Sequence, residues 1–416
     1  MLTYYSLFCG VFLYEETSPA DGSEFVPWEN RLKDHDEFFN LLKRNYYPNF
    51  RANILDHQGE TATFKHLTNA KTISGAMQFS FQRGENVISL TAPYFDIFLF
   101  KDGVGIFAFK VECRPDEELT DEKISAVLNH IRNPIALLTF ENKQVTVLDF
   151  TREFLEPFIR LKKNWSSYIP QLKVYTVIDD SSHTSVTESM EQRLFEFSHV
   201  LPAGSFLNSV HSPSLEYYEK IKKESTINIY SNWKSEALFD SFTRISGSFP
   251  DKFRSWEQEY FLIYVHCLYA KFKLYRFNSQ LKEVFPISQT SGQVRKSFIE
   301  FVNDYNLAYI SYKFLPNTLY EKINQSMEIQ KELDSMELKI ERLNEAHQER
   351  KGKQLNTMLI VLSLLSIVSV ITDLSQWLVL VGLPNTYIYS PSIAIGLWVL
   401  IALLAFGYIR KIKPFE

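Results

Sequence analysis

Polar side chains recur along one apolar stretch near the end of the chain, at a spacing that places them on one side of a helix. The stretch, residues 357–377, reads TMLIVLSLLSIVSVITDLSQW. The polar side chains that share a side are Ser363, Ser366, Ser369, Asp373 and Gln376. At about 100° per residue, they fall within roughly 140° of one another around a helix axis. Hydroxyl, carboxylate and amide groups in such a row can line an ion pathway, but a row of serines can also serve in helix packing.

Asp373 favours the pore interpretation over the packing interpretation. A charged carboxylate that faces lipid is energetically expensive, whereas one that faces water inside a helix bundle is not. A subunit with one or two spans cannot enclose a pore, so several copies must bring this face together. We therefore predict that these five residues line a pore in a homo-oligomer. The alternative is a helix-packing face with Asp373 exposed at the lipid headgroups.

Two stretches without charged residues, 355–372 and 392–409, predict membrane-spanning helices. Each has about 18 residues, which as a helix is roughly 27 Å long and matches the hydrocarbon thickness of a bilayer. Basic residues flank them: Arg350, Lys351 and Lys353 precede the first, and Arg410, Lys411 and Lys413 follow the second. The connecting loop, residues 373–392, has no Lys or Arg. The positive-inside rule therefore predicts a multi-pass protein of the cell inner membrane with both termini in the cytoplasm.

A long helical pattern precedes the first span. Pro316 and then Asn317, a plausible helix cap, start a charged segment in which apolar residues recur at helical spacing: Leu333, Met336, Ile340 and Leu343. Because Gly352 costs a helix only about 1 kcal/mol, we predict one continuous helix over residues 317–372. An aromatic segment, residues 253–284, predicts a further helix.

The N-terminal half has the pattern of an α/β domain. Predicted strands are the N-terminal MLTYYSLFCGVFLYEE, a hairpin over 96–113, QVTVLDF (144–150) and LKVYTVIDD (172–180). A helix is predicted over 119–133, with Thr120 as its cap. The predicted architecture is an α/β cytosolic N-terminal domain followed by a long helical stalk and two C-terminal transmembrane helices. The predicted domains are a ligand-sensing domain (1–250), the stalk (251–354) and the membrane domain (355–416).

Composition excludes several classes of function. The 416 residues carry a net charge of −5 with no basic stripe, which argues against direct nucleic-acid binding. The three cysteines, Cys9, Cys113 and Cys267, lie far apart and match neither a disulfide framework nor a metal spacing. No nucleophile motif or phosphate loop is present, so we predict neither catalysis nor a cofactor. Acidic clusters at 34–37 and 115–118 leave open a regulatory divalent-cation site, although such clusters are more often solvated helix starts.

The order of these segments resembles that of the CorA divalent-cation channel family. The resemblance covers the layout of the whole chain, and its specific part is residues 317–416. It implies a homopentamer in which the first span lines the pore and the N-terminal domains form a cytosolic funnel. The family's Gly-Met-Asn magnesium filter is absent; the nearest match is Gly382-Leu383-Pro384-Asn385. This departure argues against ordinary magnesium transport, and Asp373 is our own candidate for a ring that attracts cations instead.

Divergent CorA-like proteins without a clear filter occur beside type III CRISPR systems, and this chain is similar to them in its aromatic, Lys- and Asn-rich composition. The resemblance implies a membrane effector of antiviral defence that a nucleotide second messenger switches on, in one branch a conjugate of S-adenosylmethionine with AMP. The predicted partners are therefore the lipid bilayer, further copies of the chain and a small nucleotide whose contact residues the sequence does not identify. The alternatives are a divalent-cation transporter and a membrane-anchored scaffold.

Overall fold

The structure is a computed structural model that describes residues 2–17, 25–32, 35–54, 64–114, 118–208, 212–247, 255–284 and 290–381. The chain divides into two compact units. The first unit comprises Met1–Glu283 and Gly292–Met336, and the second comprises Val284–Ser291 and Glu337–Glu416. The predicted second span, residues 392–409, lies outside the described residues.

The described strands form one mixed sheet in the first unit. They are β1 (Leu2–Thr17), β2 (Phe25–Pro27), β3 (Phe64–Asn69), β4 (Met77–Arg83), β5 (Asn86–Ala92), β6 (Phe95–Phe100), β7 (Val104–Cys113), β8 (Leu137–Phe140), β9 (Lys143–Thr146), β10 (Ile159–Leu161), β11 (Lys173–Asp180), β12 (Thr226–Tyr230), β13 (Trp233–Ala237) and β14 (Ser241–Gly247). Their order is β12-β13-β14-β11-β1-β7-β5-β4-β8-β9, while β10 pairs with β1, and β6, β3 and β2 branch from β7. Strands β11 and β14 are parallel, and the other pairs are antiparallel.

The described chain also contains α-helices. They are α1 (His35–Asn45), α2 (Pro48–Ile54), α3 (Ala70–Ser74), α4 (Asp121–Arg132), α5 (Val147–Leu155), α6 (Glu188–Ser198), α7 (Ser205–Asn208), α8 (Leu215–Glu224), α9 (Phe261–Val284), α10 (Thr290–Tyr305), α11 (Phe314–Ser326) and α12 (Ile329–Leu380). A π-helical turn, Trp256–Tyr260, leads into α9. The predicted α/β N-terminal region followed by a helical C-terminal part is therefore confirmed.

Strand β1 lies in the middle of the sheet, where glycine and phenylalanine face each other across the β1–β7 ladder. Gly10 pairs with Phe107, and Phe12 pairs with Gly105. A Cβ atom at Gly10 would lie 2.3 Å from the Phe107 ring, and one at Gly105 would lie 2.2 Å from the Phe12 ring. Each glycine therefore makes room for the ring on the facing strand. This packing accounts for Gly105 in the predicted hairpin. The hairpin itself is confirmed, because β6 and β7 pair antiparallel.

Side chains alternate between the two faces of the sheet, and helices cover both faces. On one face, Leu194 of α6 belongs to the same buried core as Ile245 of β14. On the other face, the Tyr175 ring of β11 contacts the Tyr264 ring of α9 at a centroid distance of 5.6 Å. The Tyr175 hydroxyl also donates a hydrogen bond to the carbonyl of Trp256 (2.9 Å), which fixes the start of that helical segment on the sheet.

The predicted strand 144–150 is wrong in its second half. Strand β9 ends at Thr146 and α5 begins at Val147. The Thr146 hydroxyl accepts a hydrogen bond from the backbone N–H of Asp149 (3.0 Å), and the same hydroxyl donates to the Asp149 carboxylate (2.6 Å). A threonine followed three residues later by an acid is a helix-start pattern, and here it overrides the β-propensity of the valines.

The predicted single helix over residues 317–372 is wrong at one point. The chain breaks between α11 and α12, where Glu328 has a φ of 54°. This left-handed conformation ends a helix, but it is uncommon for a residue other than glycine. Met327 and Ile329 on either side are buried, so tertiary packing holds a break that local sequence does not encode. From Ile329 onward the helix is continuous through Gly352, as predicted.

Both ends of this helical segment differ from the prediction. Helix α11 begins at Phe314, with Pro316 in its first turn, where a missing N–H costs little. Asn317 does not cap the helix; its Oδ1 accepts hydrogen bonds from the N–H groups of the preceding loop, at Ile310 and Ser311. At the other end, α12 continues to Leu380, so the residues predicted to start a loop after Thr372 are helical.

Candidate functional site

The C-terminal half of α12 is an apolar helix with little protein around it. Among the described residues it is the one helix long and apolar enough to cross a membrane, and only 6% of its most apolar 18-residue window is buried. Large apolar side chains such as Leu355, Leu359 and Val370 are about two-thirds exposed. A helix of this length in the core of a soluble protein would be mostly buried.

All five residues of the predicted pore-lining row lie on this helix and are exposed: Ser363, Ser366, Ser369, Asp373 and Gln376. The Ser363 hydroxyl donates to the carbonyl of Leu359 (2.8 Å), and the Ser366 hydroxyl donates to the carbonyl of Leu362 (3.0 Å). Such bonds let a serine lie in an apolar environment without an unsatisfied donor. They are compatible with a pore and with a packing face, so the predicted role of this row stays a prediction.

The opposite side of the helix is the less exposed one. Thr357, Val361 and Leu364 are partly exposed, and Val368 is buried, with 3% of its surface exposed. These four residues recur at helical spacing and lie roughly 150° around the axis from the centre of the serine row. Among the described side chains of this half of α12, the serine row is therefore exposed, and the row from Thr357 to Val368 is the least exposed.

The acidic clusters offer no assembled metal site in the part of the chain that is described. Asp36 and Glu37 are exposed in the first turn of α1, while Asp34 and the side chain of His35 lie outside the described residues. Residues 115–117 also lie outside them. Asp121, just after that cluster, forms an ion pair with Arg193 (2.7 Å). No group of three His, Cys, Asp or Glu side chains within the described ranges could hold a metal ion.

The first unit contains a cavity that the sequence analysis missed. Its volume is about 330 Å³, and its lining includes Tyr230, Asn232, Trp233, Arg244, Trp256 and Tyr260. Arg244 is only 2% exposed, and it lies on β14 on the same face as Phe242, whose ring stacks on Trp256 of the π-helical turn. Its Nε atom has no hydrogen-bond partner, and no described carboxylate forms an ion pair with it. Burial lowers the pKa of Arg244 to about 10, although the Asp179 charge opposes this, so the side chain is cationic at neutral pH.

Aromatic rings form the walls of this cavity. The Arg244 Cζ atom lies 4.8 Å from the centre of the Trp256 ring and 5.9 Å from that of Trp233. The two tryptophans meet edge to face at 5.1 Å, and Tyr260 contacts Trp256 at 4.8 Å. Tyr230 is 51% exposed, so the lining of the cavity includes a solvent-exposed residue beside the buried tryptophans. The sequence signal is an arginine at an inward position of β14, two residues after the buried Phe242.

A second, smaller cavity of about 160 Å³ lies beside α6 and α8 and includes the buried carboxyl of Glu236 in its lining. Burial raises the pKa of Glu236 to about 8. Two lysines also line it, Lys222 and Lys234, but both form ion pairs with Glu191. The Glu236 Oε1 atom lies 3.5 Å from His199 Nδ1. Burial lowers the pKa of His199, so this neighbour supplies no charge at neutral pH to keep Glu236 ionised.

No model of a protein family matches this sequence, and no curated protein matches it. The resemblance to the CorA family therefore stays a prediction.

Proposed function

We propose that this protein is a homo-oligomeric membrane channel whose first unit senses a nucleotide in the cytosol and whose α12 helices line the pore. The observation that carries the proposal is the exposure of the apolar half of α12: only 6% of its most apolar 18-residue window is buried. Apolar surface of this extent is not stable in water and needs either lipid or other copies of the chain around it. A bilayer supplies the first, and an oligomer supplies the second.

The arrangement of α12 supports a pore more than a simple anchor. An anchoring helix needs only apolar side chains towards lipid, whereas this helix keeps Asp373 and Gln376 on the same exposed side as three serines. Copies of α12 around one axis would turn this side inward and their other apolar residues towards lipid. We further propose that residues 392–409 form the second span and that, as the CorA resemblance implies, five copies assemble.

The nucleotide trigger completes the proposal and comes from the resemblance to effectors of type III CRISPR defence. A ligand opens a channel only by binding the open state more tightly than the closed state. To change the ratio of open to closed channels from 1:99 to 99:1, the ligand must bind the open state more tightly by about 5.5 kcal/mol in total. Divided among five sites, this is roughly 1 kcal/mol for each. One or two hydrogen bonds per site can supply this difference.

Ion flux from vesicles tests the proposal. We expect the full-length protein in liposomes to be closed without ligand and to release ions when the conjugate of S-adenosylmethionine with AMP is added. Liposomes without protein, and the same protein with adenosine, serve as controls. Flux that is equally large with and without nucleotide would contradict ligand gating and favour an unregulated transporter. No flux under any of these conditions would favour a membrane-anchored scaffold.

Cysteine labelling tests the proposed topology. Since Cys9 and Cys267 are buried, removing Cys113 with Cys113→Ala gives a background with no exposed thiol among the described residues. We expect Val381→Cys, at the far end of α12, to react with a membrane-impermeant maleimide in intact cells. Gln354→Cys, before the apolar half, should react only after the cells are opened. Both positions are exposed, so access alone does not distinguish them. Equal labelling of the two cysteines in intact cells would contradict the membrane-spanning assignment.

A further inference from the structure

The cavity around Arg244 combines a buried positive charge with aromatic walls. An arginine this deeply buried is normally paired with a carboxylate, because removing a charge from water is costly. The acid on the same sheet face, Asp179, instead accepts a hydrogen bond from Ser246 (2.8 Å). Besides the charge of Asp179, which forms no ion pair with it, Arg244 is compensated by the faces of Trp256 and Trp233. Such contacts leave the guanidinium N–H donors available to an anion from outside.

The geometry therefore fits a ligand with two different parts. A guanidinium group recognises phosphate or carboxylate oxygens through paired N–H donors. Trp256 is covered by Phe242 and Arg244. The rings of Tyr260 and the half-exposed Tyr230 in the lining are therefore the ones against which a planar heterocycle can stack. The volume of about 330 Å³ lies at the lower end of the range of roughly 300–1,000 Å³ for small-molecule sites. It suits one nucleotide unit rather than a polymer.

We propose that this cavity binds a mononucleotide unit, with its phosphate on Arg244 and its base against the tyrosine rings at the open side of the lining. This inference rests on the proposed function, because it says where the nucleotide of a gated channel would bind. The competing explanation is structural: Arg244 would only fill the space between two tryptophans. The two explanations differ in what happens when the charge is removed and the volume is kept.

Calorimetry with AMP tests the assignment on the full-length protein in detergent. We expect AMP to bind more tightly than either adenosine, which lacks the phosphate, or ribose 5-phosphate, which lacks the base. Arg244→Met keeps a long side chain without the charge and should weaken AMP binding at least tenfold, while adenosine binding changes little. Arg132→Met is the control, because it removes an arginine of the same unit that is already paired with Asp240.

A thermal unfolding measurement separates binding from folding. Since a buried unpaired charge opposes folding, Arg244→Met should unfold at the same temperature as the wild type or higher. If Arg244→Met unfolds at a much lower temperature, Arg244 also has a structural role and Asn232→Trp decides the question. The assignment then fails if Asn232→Trp still binds AMP. That variant fills the cavity from its lining and leaves Arg244 in place, so it should lose AMP binding without loss of stability.

The remaining outcomes each decide one question. No AMP binding to the wild type at about 1 mM, or equal binding to the wild type and Arg244→Met, overturns the site. Vesicle flux with the same variants then separates this inference from the proposed function. A channel that the nucleotide opens equally well in Arg244→Met keeps the proposed function and rejects the cavity. AMP binding that depends on Arg244 in a protein that never conducts keeps the cavity and rejects the channel.

Discussion

Replacing Asp373 by asparagine should remove most of the channel's preference for cations while leaving assembly and membrane insertion unchanged. Asparagine keeps the size and polarity of the side chain but removes its charge. A ring of carboxylates around one axis creates a negative potential that concentrates cations and repels anions, as acidic rings do in cation channels. We expect a several-fold fall in the cation-to-anion permeability ratio for Asp373→Asn, and a further fall or a reversal for Asp373→Lys. Reversal potentials in planar bilayers under a salt gradient measure both.

The matched control for this experiment is Ile371→Asn. Ile371 is exposed on the same part of α12 and lies about 160° around the axis from Asp373. The same asparagine placed there should leave the permeability ratio unchanged, since it lies away from the proposed pore. Leu364 lies on the same side of the helix as Ile371 but is only partly exposed, so Ile371 is the better control. If Asp373→Asn conducts with unchanged selectivity and conductance, the serine row is a packing face and the pore lies elsewhere.

The local sequence was sufficient to predict those elements whose short-range sequence signal agrees with the final packing. Strand β1, the β6–β7 hairpin and α4 follow directly from apolar runs, a glycine turn and a threonine cap. The Thr120 hydroxyl accepts a hydrogen bond from the Lys123 N–H, as a cap should. The apolar half of α12 could also be predicted from the local sequence, because a long helical segment without charged residues is itself the signal of a candidate membrane span.

Features set by distant residues could not be predicted in this way. The break at Glu328 has no glycine or proline near it and is held by the burial of Met327 and Ile329. The Arg244 cavity needs β13, β14 and the helix that contains Trp256, which only the folded sheet brings together. By contrast, the helix start at Thr146 was available in the sequence, since the threonine and Asp149 have the spacing of a helix cap.

The pH dependence of stability should change most when Glu236 is replaced by glutamine. Burial raises the pKa of Glu236 to about 8 from its ordinary value of 4.5. Between these pH values the unfolded chain gives up a proton that the folded chain keeps, so the free energy of unfolding falls as the pH rises from about 4.5 to 8. Below this window both states hold the proton, and above it both have lost it. Glu236→Gln has no proton to lose and should not show this fall.

The expected difference between Glu236→Gln and the wild type is close to zero at pH 4.5 and grows to about 3–5 kcal/mol near pH 8. For a unit of this size it corresponds to a melting temperature higher by about 5–10 °C for the variant.

Tryptophan fluorescence during heating, at a series of pH values, measures this difference. The control is Glu219→Gln, which removes an exposed carboxylate from the neighbouring helix α8 and should follow the wild type at every pH. The charged neighbours do not reverse the expected sign, because Lys222 and Lys234 are already paired with Glu191. Melting temperatures of Glu236→Gln and the wild type that stay parallel from pH 5 to 8 would show that Glu236 is ionised in the folded protein. In that case one of these lysines must leave Glu191 and compensate its charge.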